Sequence, residues 1–280
     1  MRTGLLLLLG SRIPIPHLLA VRFLQISSWW DRNLRKRETW SESDIERISG
    51  VLYASKQKRV KRKYKIVSGT LSLIIVAAEK DFELLKLVID SAVKTLRSFS
   101  IVSIRIISPD SQRAQTICSD LASSAFSVEF VNEDSILPCS EIRSIFSKHF
   151  AGRENWCLQQ FLKFYSVANS KTEYAIVIDA DTLLLNSRPW IMETNNAKIL
   201  SLIPTFEYQN QYYEVLRGIG VPLARPAFSF VPHHMFYDVQ LFRQMISDMN
   251  LQSSIEFAKQ VESLSDKRTH APFCIDYELY

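Results

Sequence analysis

The sequence predicts an α/β protein with a mostly parallel central sheet flanked by helices, in a single domain with a basic N-terminal extension. Two observations predict this class. From about residue 70, continuous apolar runs alternate with segments of helical periodicity. The connections are short, and parallel neighbours in a sheet need a crossover such as a helix. We place the extension at 1-68 and the domain at 69-280.

The predicted elements follow in chain order. Strands are expected at 71–79, 101–108 and 126–134, with helices at 81–96 and 112–124 between them. An amphipathic helix at 155–170 precedes a strand at 174–185 that is apolar on both faces, as in a central parallel strand. In the C-terminal part of the chain we expect a strand at 197–204 and a helix at 208–220 that Gly218 or Gly220 stops. A short strand at 228–231 and a Pro-His-His corner follow, and the last predicted helix begins near Asp238.

Composition excludes several classes of protein. With 280 residues and 47% hydrophobic residues, the chain can bury one large core and is not disordered. It has only seven glycines, and neither a P-loop nor a GxGxxG fingerprint occurs. The four cysteines lie far apart without a CxxC pair, which favours core thiols in a reducing cytoplasm.

The positive charge is confined to the N-terminal segment. Residues 1–68 hold 15 Lys and Arg against 5 Asp and Glu, a net of +10, whereas the other 212 residues hold 19 against 24, a net of −5. The dense run is "KQKRVKRKYK" at 56–65. It is read either as a solvated linker or as an attraction to anionic lipid headgroups. No nucleic-acid partner is expected, because no zinc-finger, homeodomain or RNA-binding pattern accompanies the charge.

The first 30 residues imitate a signal sequence, with Arg2 followed by five leucines. This apolar run is too short to span a bilayer, which needs about 20 apolar residues, and it lacks a convincing cleavage site. Two interpretations of this segment stay open. It makes peripheral contact with a membrane through Leu5 to Leu9, Trp29 and Trp30, or it is only loosely tied to the fold. We therefore expect a cytoplasmic protein, either free or peripheral to the inner face of the membrane.

Two aspartates interrupt the buried strand in "YAIVIDADTLLL". In extended chain Asp179 and Asp181 project to the same side, while Ala180 faces the other way. Two close carboxylates repel, and burying them unpaired is costly, so a cation is expected between them. Carboxylate oxygens suit Mg²⁺ or Mn²⁺ and leave coordination positions open for a phosphate ligand. The pair therefore predicts a metal site at a strand end.

Polar residues on two other elements are candidates for contacts with a ligand. On the helix at 155–170, Gln159, Gln160 and Lys163 form either a solvated surface or a set of sugar, base and phosphate contacts, and periodicity does not decide between these. At the Pro-His-His corner, His233 and His234 are candidates because neutral imidazole can ligate a metal or bind phosphate. Adjacent positions on a strand face opposite sides, so we expect the two histidines not to share a ligand.

The chain ends in "APFCIDYELY", where Asp276 and Glu278 again lie two residues apart among aromatic residues. One interpretation is a charged last turn at the end of the chain. The other is a general base, because a poorly solvated setting raises the pKa of a carboxyl group towards the range useful for a base. The abrupt end at Tyr280 leads us to expect that the natural fold continues beyond it.

Four blocks in this order carry a family resemblance: "WCLQQFLKFYSV", "YAIVIDADTLLLNSRPW", "VPHHMFYDVQLF" and "CIDYELY". Over roughly residues 70–280 they resemble a bacterial family of uncharacterised GT-A-like glycosyltransferases. The resemblance implies that Asp181, supported by Asp179, binds Mn²⁺ or Mg²⁺ and thereby the diphosphate of a nucleotide-sugar donor. It also implies a glycan or lipid-linked acceptor in polysaccharide biosynthesis. Relatives run past the last block into a glycine, whereas this chain stops at Tyr280.

The chemistry of glycosyl transfer is compatible with these residues. Negative charge develops on the leaving diphosphate, and a metal on Asp181 would stabilise it, with Lys163 or a histidine adding to the effect. An inverting reaction would need a base such as Glu278 or Asp276 to deprotonate the acceptor. A retaining reaction would not need that base in the same place, and both outcomes stay open.

Two alternative functions compete with this hypothesis. A haloacid-dehalogenase-type phosphohydrolase also begins with a buried strand and D-x-D, but it requires Thr or Val where Leu183 stands. No DD or DxxxD occurs among residues 182–280, which disfavours this alternative. The other alternative is a catalytically degenerate module that binds a nucleotide-sugar without turnover.

Overall fold

The computed structural model describes residues 65–109, 111–122, 126–193, 198–200, 210–221, 233–268 and 273–275. These residues all belong to one compact unit. The predicted extension up to residue 64, the predicted strand at 228–231, and both Asp276 and Glu278 lie outside the described residues.

Eight strands and seven α-helices alternate along the described chain. The strands are β1 (Lys65–Ile66), β2 (Thr70–Val76), β3 (Ser100–Ser108), β4 (Ser127–Asn132), β5 (Tyr174–Ile178), β6 (Ile191–Glu193), β7 (Lys198–Leu200) and β8 (His234–Asp238). The helices are α1 (Leu85–Thr95), α2 (Gln112–Leu121), α3 (Cys139–Ser147), α4 (Glu154–Ala168), α5 (Asn210–Gly218), α6 (Val239–Asp248) and α7 (Ser254–Leu264). Short 3₁₀ turns at Glu79–Leu84 and Glu133–Ser135 precede α1 and α3.

The central sheet has five strands in the order β4-β3-β2-β5-β8. Its first four strands are parallel, and β8 alone runs antiparallel, beside β5. The predicted α/β class with a mostly parallel, helix-flanked sheet is therefore confirmed. The chain proceeds from β2 to β3 and β4 on one side and then returns to β5 on the other side of β2. The order of strands thus reverses between β2 and β5, and their carboxyl ends flank that point.

The sheet is covered on both faces. Side chains alternate along each strand, so Ile74 and Val177 join one core while Ile75 and Ile178 join the other. The first core includes residues of α3 to α7, and the second includes residues of α1 and α2. Every residue of β5 is buried, as the apolar run at 174–178 predicts.

A second, smaller sheet of order β1-β6-β7 lies within the same unit. Lys65 and Ile66 pair with Glu193 and Met192 of β6. The folded unit therefore includes residues ahead of the predicted domain start at residue 69, and the basic run at 56–65 leads directly into β1.

Three predicted elements are wrong in detail. The strand expected over 174–185 ends at Ile178, and Leu183 and Leu185 are exposed in a stretch without regular structure. Helix α4 is not amphipathic but buried almost all round, because helices α3, α6 and α7 cover the side that faces away from the sheet. The histidines do not form a strand-to-helix corner, since His234 is the first residue of β8.

The start of helix α6 and the burial of the cysteines agree with the sequence-based predictions. Asp238 caps α6 by accepting a hydrogen bond from the backbone N–H of Leu241 at 3.2 Å. All four cysteines are free and buried, and burial raises the pKa of Cys157 to about 12 and that of Cys118 to about 11, so both stay protonated thiols. In the described part of the chain, no helix is long and apolar enough to cross a membrane.

The end of α5 yields a test of the fold. Gly220 has φ +94°, and the N–H groups of Gly220 and Val221 donate to the carbonyls of Arg217 and Leu216 in a Schellman motif. A side chain at this φ is strained, so Gly220→Ala should lower the free energy of unfolding by about 1–2 kcal/mol. Denaturant titration would measure it, with exposed Ser263→Ala as a control expected to stay within about 0.5 kcal/mol. Equal stability of the two variants would contradict the prediction.

Candidate active site

Asp179 lies at the point where β5 leaves the sheet. Its backbone N–H donates to the carbonyl of His233 at 2.9 Å, which extends the pairing of β5 with β8 by one step. Its own carbonyl accepts from the N–H of Thr182 at 3.0 Å and closes a tight turn. The side chain therefore emerges at the carboxyl edge of the sheet, where β2 and β5 flank the reversal of strand order.

The side chain of Lys163 on α4 contacts this carboxylate. Its Nζ lies 2.5 Å from Asp179 Oδ1, and the lysine side chain is only 3% exposed. The prediction left open whether Lys163 is solvated or a cation at the site, and the structure places it inside, on the aspartate. A buried ammonium needs such a partner, because removing a charge from water without compensation costs several kcal/mol.

His233 meets the other oxygen of the same carboxylate. Its Nδ1 lies 3.0 Å from Asp179 Oδ2, and its side chain is 77% exposed. Burial alone would raise the pKa of Asp179, but the Lys163 ammonium and the His233 hydrogen bond outweigh it and lower this pKa from 3.8 to about 2. Asp179 is consequently an ionised carboxylate with both oxygens engaged.

Asp181 differs from Asp179 in its surroundings. It is exposed in the turn that follows β5, while Ala180 between them is buried. The predicted arrangement assumed extended chain, in which both carboxylates would point the same way with a cation between them. The turn closed by Thr182 ends the extended conformation, so the alternation does not apply, and the cation beside Asp179 is a lysine of the protein itself.

The stretch after Asp181 is held at both ends. The N–H of Leu184 donates to Ser91 Oγ of α1 at 3.1 Å, and Leu184 is buried against the second core. Further along, the guanidinium of Arg188 stacks on Trp190 at 3.8 Å from the ring centroid, and its Nη2 lies 3.3 Å from His234 Nε2. These contacts hold in place the chain that follows the Asp179–Thr182 turn.

His234 is a neutral partner in this cluster. Burial first, and the nearby Arg188 charge second, lower the pKa of His234 from 6.5 to about 4. Its Nε2 can therefore accept from Arg188 at neutral pH. His233 and His234 do contact different groups, Asp179 and Arg188, as the alternation along a strand predicts. Sequence reasoning missed Arg188, for which the only local signal is its place before Pro189 and Trp190.

The two glutamines of α4 occupy different settings. Gln159 is half-buried, and its predicted contact with a donor stays a prediction. Gln160 is buried, and its amide bonds to the protein backbone: Nε2 donates to the carbonyl of Phe273 at 3.3 Å, and Oε1 accepts from the N–H of Ile275 at 2.9 Å. This structural task differs from the sugar or base contact predicted for it.

The residues that could hold a divalent ion are few. Among the residues that the structure describes, no three His, Cys, Asp or Glu side chains form a metal cluster. Mg²⁺ is commonly bound by one or two carboxylates with phosphate and water completing its shell, so a dedicated protein cage is not required. Exposed Asp181 fits that role. Asp179 Oδ2 is already in contact with His233 Nδ1, at 3.0 Å.

No family model and no curated protein matches this chain. Several solved structures are similar to it over most of its length. One is the galactosyltransferase LgtC in complex with donor and acceptor sugar analogues, with 12% identity, a TM-score of 0.44, and coverage of 72% of this chain and 72% of that chain. A second is apo mouse xyloside xylosyltransferase 1, with 12% identity, a TM-score of 0.38, and coverage of 71% and 81%.

A third is the mannosyltransferase PcManGT from Pyrobaculum calidifontis in complex with GDP-Man and Mn²⁺. It has 9% identity, a TM-score of 0.33, and coverage of 79% of this chain and 56% of that chain.

The buried ion pair yields a test of stability. Lys163→Met leaves Asp179 without its cation and should lower the free energy of unfolding by about 3–5 kcal/mol, because an uncompensated charge remains buried. Adding Asp179→Asn to Lys163→Met should recover part of that loss. Denaturant titration measures both variants.

A matched control is Lys259→Met, which removes an exposed Lys259–Glu256 pair of 2.8 Å. It should cost no more than about 1 kcal/mol. A loss no larger for Lys163→Met than for this control would show that the Lys163–Asp179 pair is unimportant to the fold.

The lowered pKa of Asp179 yields a test of pH dependence. Because the folded pKa is about 2 and the ordinary value is 3.8, the carboxylate stabilises the fold fully above about pH 4, and this contribution is lost as pH falls towards 2. Urea titrations of wild type and Asp179→Asn at several pH values from 6 to 2.5 should show their difference in free energy of unfolding narrowing below pH 4. A difference independent of pH would contradict the assignment.

Proposed function

We propose that this chain is a metal-dependent, GT-A-like glycosyltransferase that transfers a sugar from a nucleotide-diphosphate donor to a glycan or lipid-linked acceptor. The observation that carries the proposal is the position of Asp179 and Asp181. They leave the carboxyl end of β5 where the order of parallel strands reverses. In open α/β sheets, ligands bind in the crevice at this point.

The net negative charge of the domain means that an anionic ligand would have to be attracted by local cations. Residues 69–280 carry more Asp and Glu than Lys and Arg, so the domain as a whole does not attract a diphosphate. Attraction must come from cations placed locally. Lys163 cancels the charge of Asp179, and Arg188 supplies a further positive charge on the adjoining stretch. Phosphate oxygens can then approach two aspartates without facing two uncompensated negative charges.

Asp181 is the direct ligand in our proposal, and Asp179 at the end of β5 supports it. A divalent ion, Mn²⁺ or Mg²⁺, would supply Lewis-acid stabilisation of the leaving diphosphate when bound. Lys163 keeps Asp179 ionised and fixed in orientation. The Thr182 turn and the bond from the Leu184 N–H to Ser91 Oγ restrain the backbone on the C-terminal side of Asp181.

The transfer needs one proton acceptor if it inverts. The acceptor oxygen forms a bond to the anomeric carbon, the bond from that carbon to the diphosphate oxygen breaks, and the acceptor proton passes to a base. We propose Asp276 or Glu278 as this base, as predicted from the sequence. The diphosphate leaves with the bonding electron pair. We propose Gln159 as a donor contact, since it flanks the site on α4.

The basic run at 56–65 leads into β1 of the folded unit. We propose that it brings the domain to an anionic membrane surface, where a lipid-linked acceptor would be presented. If the acceptor is a glycan that is not attached to a lipid, the basic run would have no binding role and would be a solvated linker.

A binding module without turnover is the second candidate. It is favoured by one observation, namely that protein groups already engage both oxygens of Asp179. Such a module would bind a nucleotide-sugar through Asp181 and the local cations and leave it intact.

Calorimetric titration with UDP and GDP tests the proposed function. Wild type should bind one of them in the presence of Mn²⁺, and binding should weaken at least tenfold with a chelator or in Asp181→Ala, because the bridging ion is then lost. Asp120→Ala, which removes an exposed aspartate of α2, serves as the matched control and should bind as wild type does.

Failure of both nucleotides to bind with Mn²⁺ would overturn the proposed function. Binding that persists unchanged in Asp181→Ala would remove Asp181 from the site. Metal-dependent binding without hydrolysis of any UDP- or GDP-hexose over hours, with or without a glycan acceptor, would favour the binding module.

A further inference from the structure

Four exposed leucines lie on two neighbouring stretches of chain beside the candidate active site. Leu84 and Leu87 are exposed at the start of α1, and Leu183 and Leu185 are exposed on the chain that follows Asp181. Leu87 is 56% exposed and Leu185 is 81% exposed. A single exposed leucine is ordinary, whereas a group of them marks a surface that meets an apolar partner. We call these four residues the leucine patch.

One hydrogen bond joins the two halves of the leucine patch. The N–H of Leu184 donates to Ser91 Oγ of α1 at 3.1 Å. Leu84, Leu87 and Ser91 follow at spacings of three and four residues, so they share one face of the helix, with neighbouring Cβ atoms about 5–6 Å apart. Leu184 is buried against the second core, while its two neighbours along the chain stay at the surface. The two halves therefore adjoin along this face of α1.

The chemistry of the leucine patch favours a hydrocarbon partner. Its side chains are all aliphatic and offer neither a hydrogen-bond donor nor an acceptor. The residues that dominate binding between proteins are enriched in Trp, Tyr and Arg and poor in Leu. Leucine is instead as apolar as the tails of lipids. A membrane surface is thus a better match for the patch than the surface of another protein.

Charge indicates the kind of membrane. The sequence at 56–65 holds seven Lys and Arg and no Asp or Glu, and such a cluster is attracted to anionic lipid headgroups. Its last residue, Lys65, is exposed in β1 of the folded unit, and so is the adjoining Ile66. Stable attachment to a membrane commonly combines an apolar contact with a second signal such as a polybasic segment. The leucine patch and the basic run are two such signals in one chain.

The folded unit holds the patch close to the strand that ends the basic run. The N–H of Val67, just after β1, donates to the carbonyl of Ile191 at 3.1 Å. Leu185 precedes Ile191 by six residues. An extended chain spans at most about 3.6 Å per residue, so Leu185 lies no more than about 22 Å from Ile191. A separation of this size allows both signals to act on one bilayer surface.

We propose that the leucine patch is a membrane-contact surface, which inserts its side chains into the interfacial region of an anionic bilayer and places Asp181 at the lipid surface. Leu183 is two residues from Asp181, so their Cα atoms are within about 7 Å of each other. Of the two acceptors in the proposed function, this contact selects the lipid-linked one, because a bilayer on the patch presents its own lipids to the site. This selection rests on the proposed function, whereas the membrane contact does not.

Binding of the full chain to lipid vesicles tests the contact. The vesicles contain equal parts of phosphatidylcholine and phosphatidylserine, and co-sedimentation measures the affinity. Leu87→Gln combined with Leu185→Gln should weaken binding about tenfold, because two apolar side chains no longer leave water. Leu241→Gln changes a leucine of α6 that is exposed to nearly the same degree as Leu87 but lies outside the patch. This matched control should bind vesicles as wild type does.

A second measurement detects the insertion directly. In Leu185→Trp, vesicles made with brominated phosphatidylcholine should quench the added tryptophan emission, because bromine quenches only a ring that lies within the bilayer. Leu241→Trp should show no such quenching of its added emission. Calorimetric titration with UDP and GDP in the presence of Mn²⁺ should give the same affinity for wild type and the double variant, since neither leucine belongs to the nucleotide site.

Each contrary result overturns a distinct statement. Equal vesicle binding by wild type and the double variant, or no quenching in Leu185→Trp, overturns the leucine patch as a membrane contact. Equal binding of wild type to vesicles of phosphatidylcholine alone overturns the requirement for anionic lipid. A wild-type dimer that the double variant converts to a monomer in analytical ultracentrifugation shows that the patch binds a second copy instead.

Failure of the proposed function gives a different result from failure of the patch. Wild type that binds vesicles through the patch but binds neither nucleotide with Mn²⁺ keeps the membrane contact and overturns the proposed function, and with it the lipid-linked acceptor. Wild type that binds a nucleotide but loses no vesicle affinity in the double variant keeps the proposed function and overturns the selection of that acceptor.

Discussion

The arrangement of the site depends on one interaction, the ion pair between buried Lys163 and Asp179. An ammonium that is 3% exposed has few stable alternatives to this carboxylate, so the pair ties the middle of α4 to the end of β5. Sliding α4 by one residue along the sheet would turn Lys163 by about 100° and separate a buried ammonium from a half-buried carboxylate. The pair thus selects one register of helix on strand, and that register determines where the neighbouring groups of α4 lie.

The position of Asp179 was predictable, but its partners were not. A run of five apolar residues that ends in aspartate indicates a buried parallel strand with a carboxylate at its end, and β5 has this form. The helical pattern of 155–170 identifies α4 but cannot show that other helices cover its second face. Such contacts join residues far apart in sequence, for example Phe161 and Phe257. Without that cover Lys163 would be a surface lysine, which is why the sequence left both interpretations open.

The turn after β5 shows why alternation fails as a guide at strand ends. Leu183, Leu184 and Leu185 have strand-forming composition, yet the bond from the Thr182 N–H to the Asp179 carbonyl bends the chain before they are reached. Leu184 is then buried against α1, while its two neighbours are exposed. The two aspartates consequently have different environments. Asp179 is held by Lys163 and His233, whereas Asp181 is exposed to solvent.

Helix α4 therefore serves as a common frame for two polar contacts of opposite kinds. Lys163 uses charge and fixes the strand end, whereas Gln160 uses a neutral donor and acceptor and fixes the backbone of Phe273–Ile275. Both side chains are buried, so each contact is protected from competition with water, and an unpaired partner would cost about 1–3 kcal/mol or more. Because the two residues lie one turn apart on a single rigid helix, any displacement of α4 disturbs both contacts together. The strand end and the C-terminal stretch are in this way held in one geometry, although more than 90 residues of chain separate them.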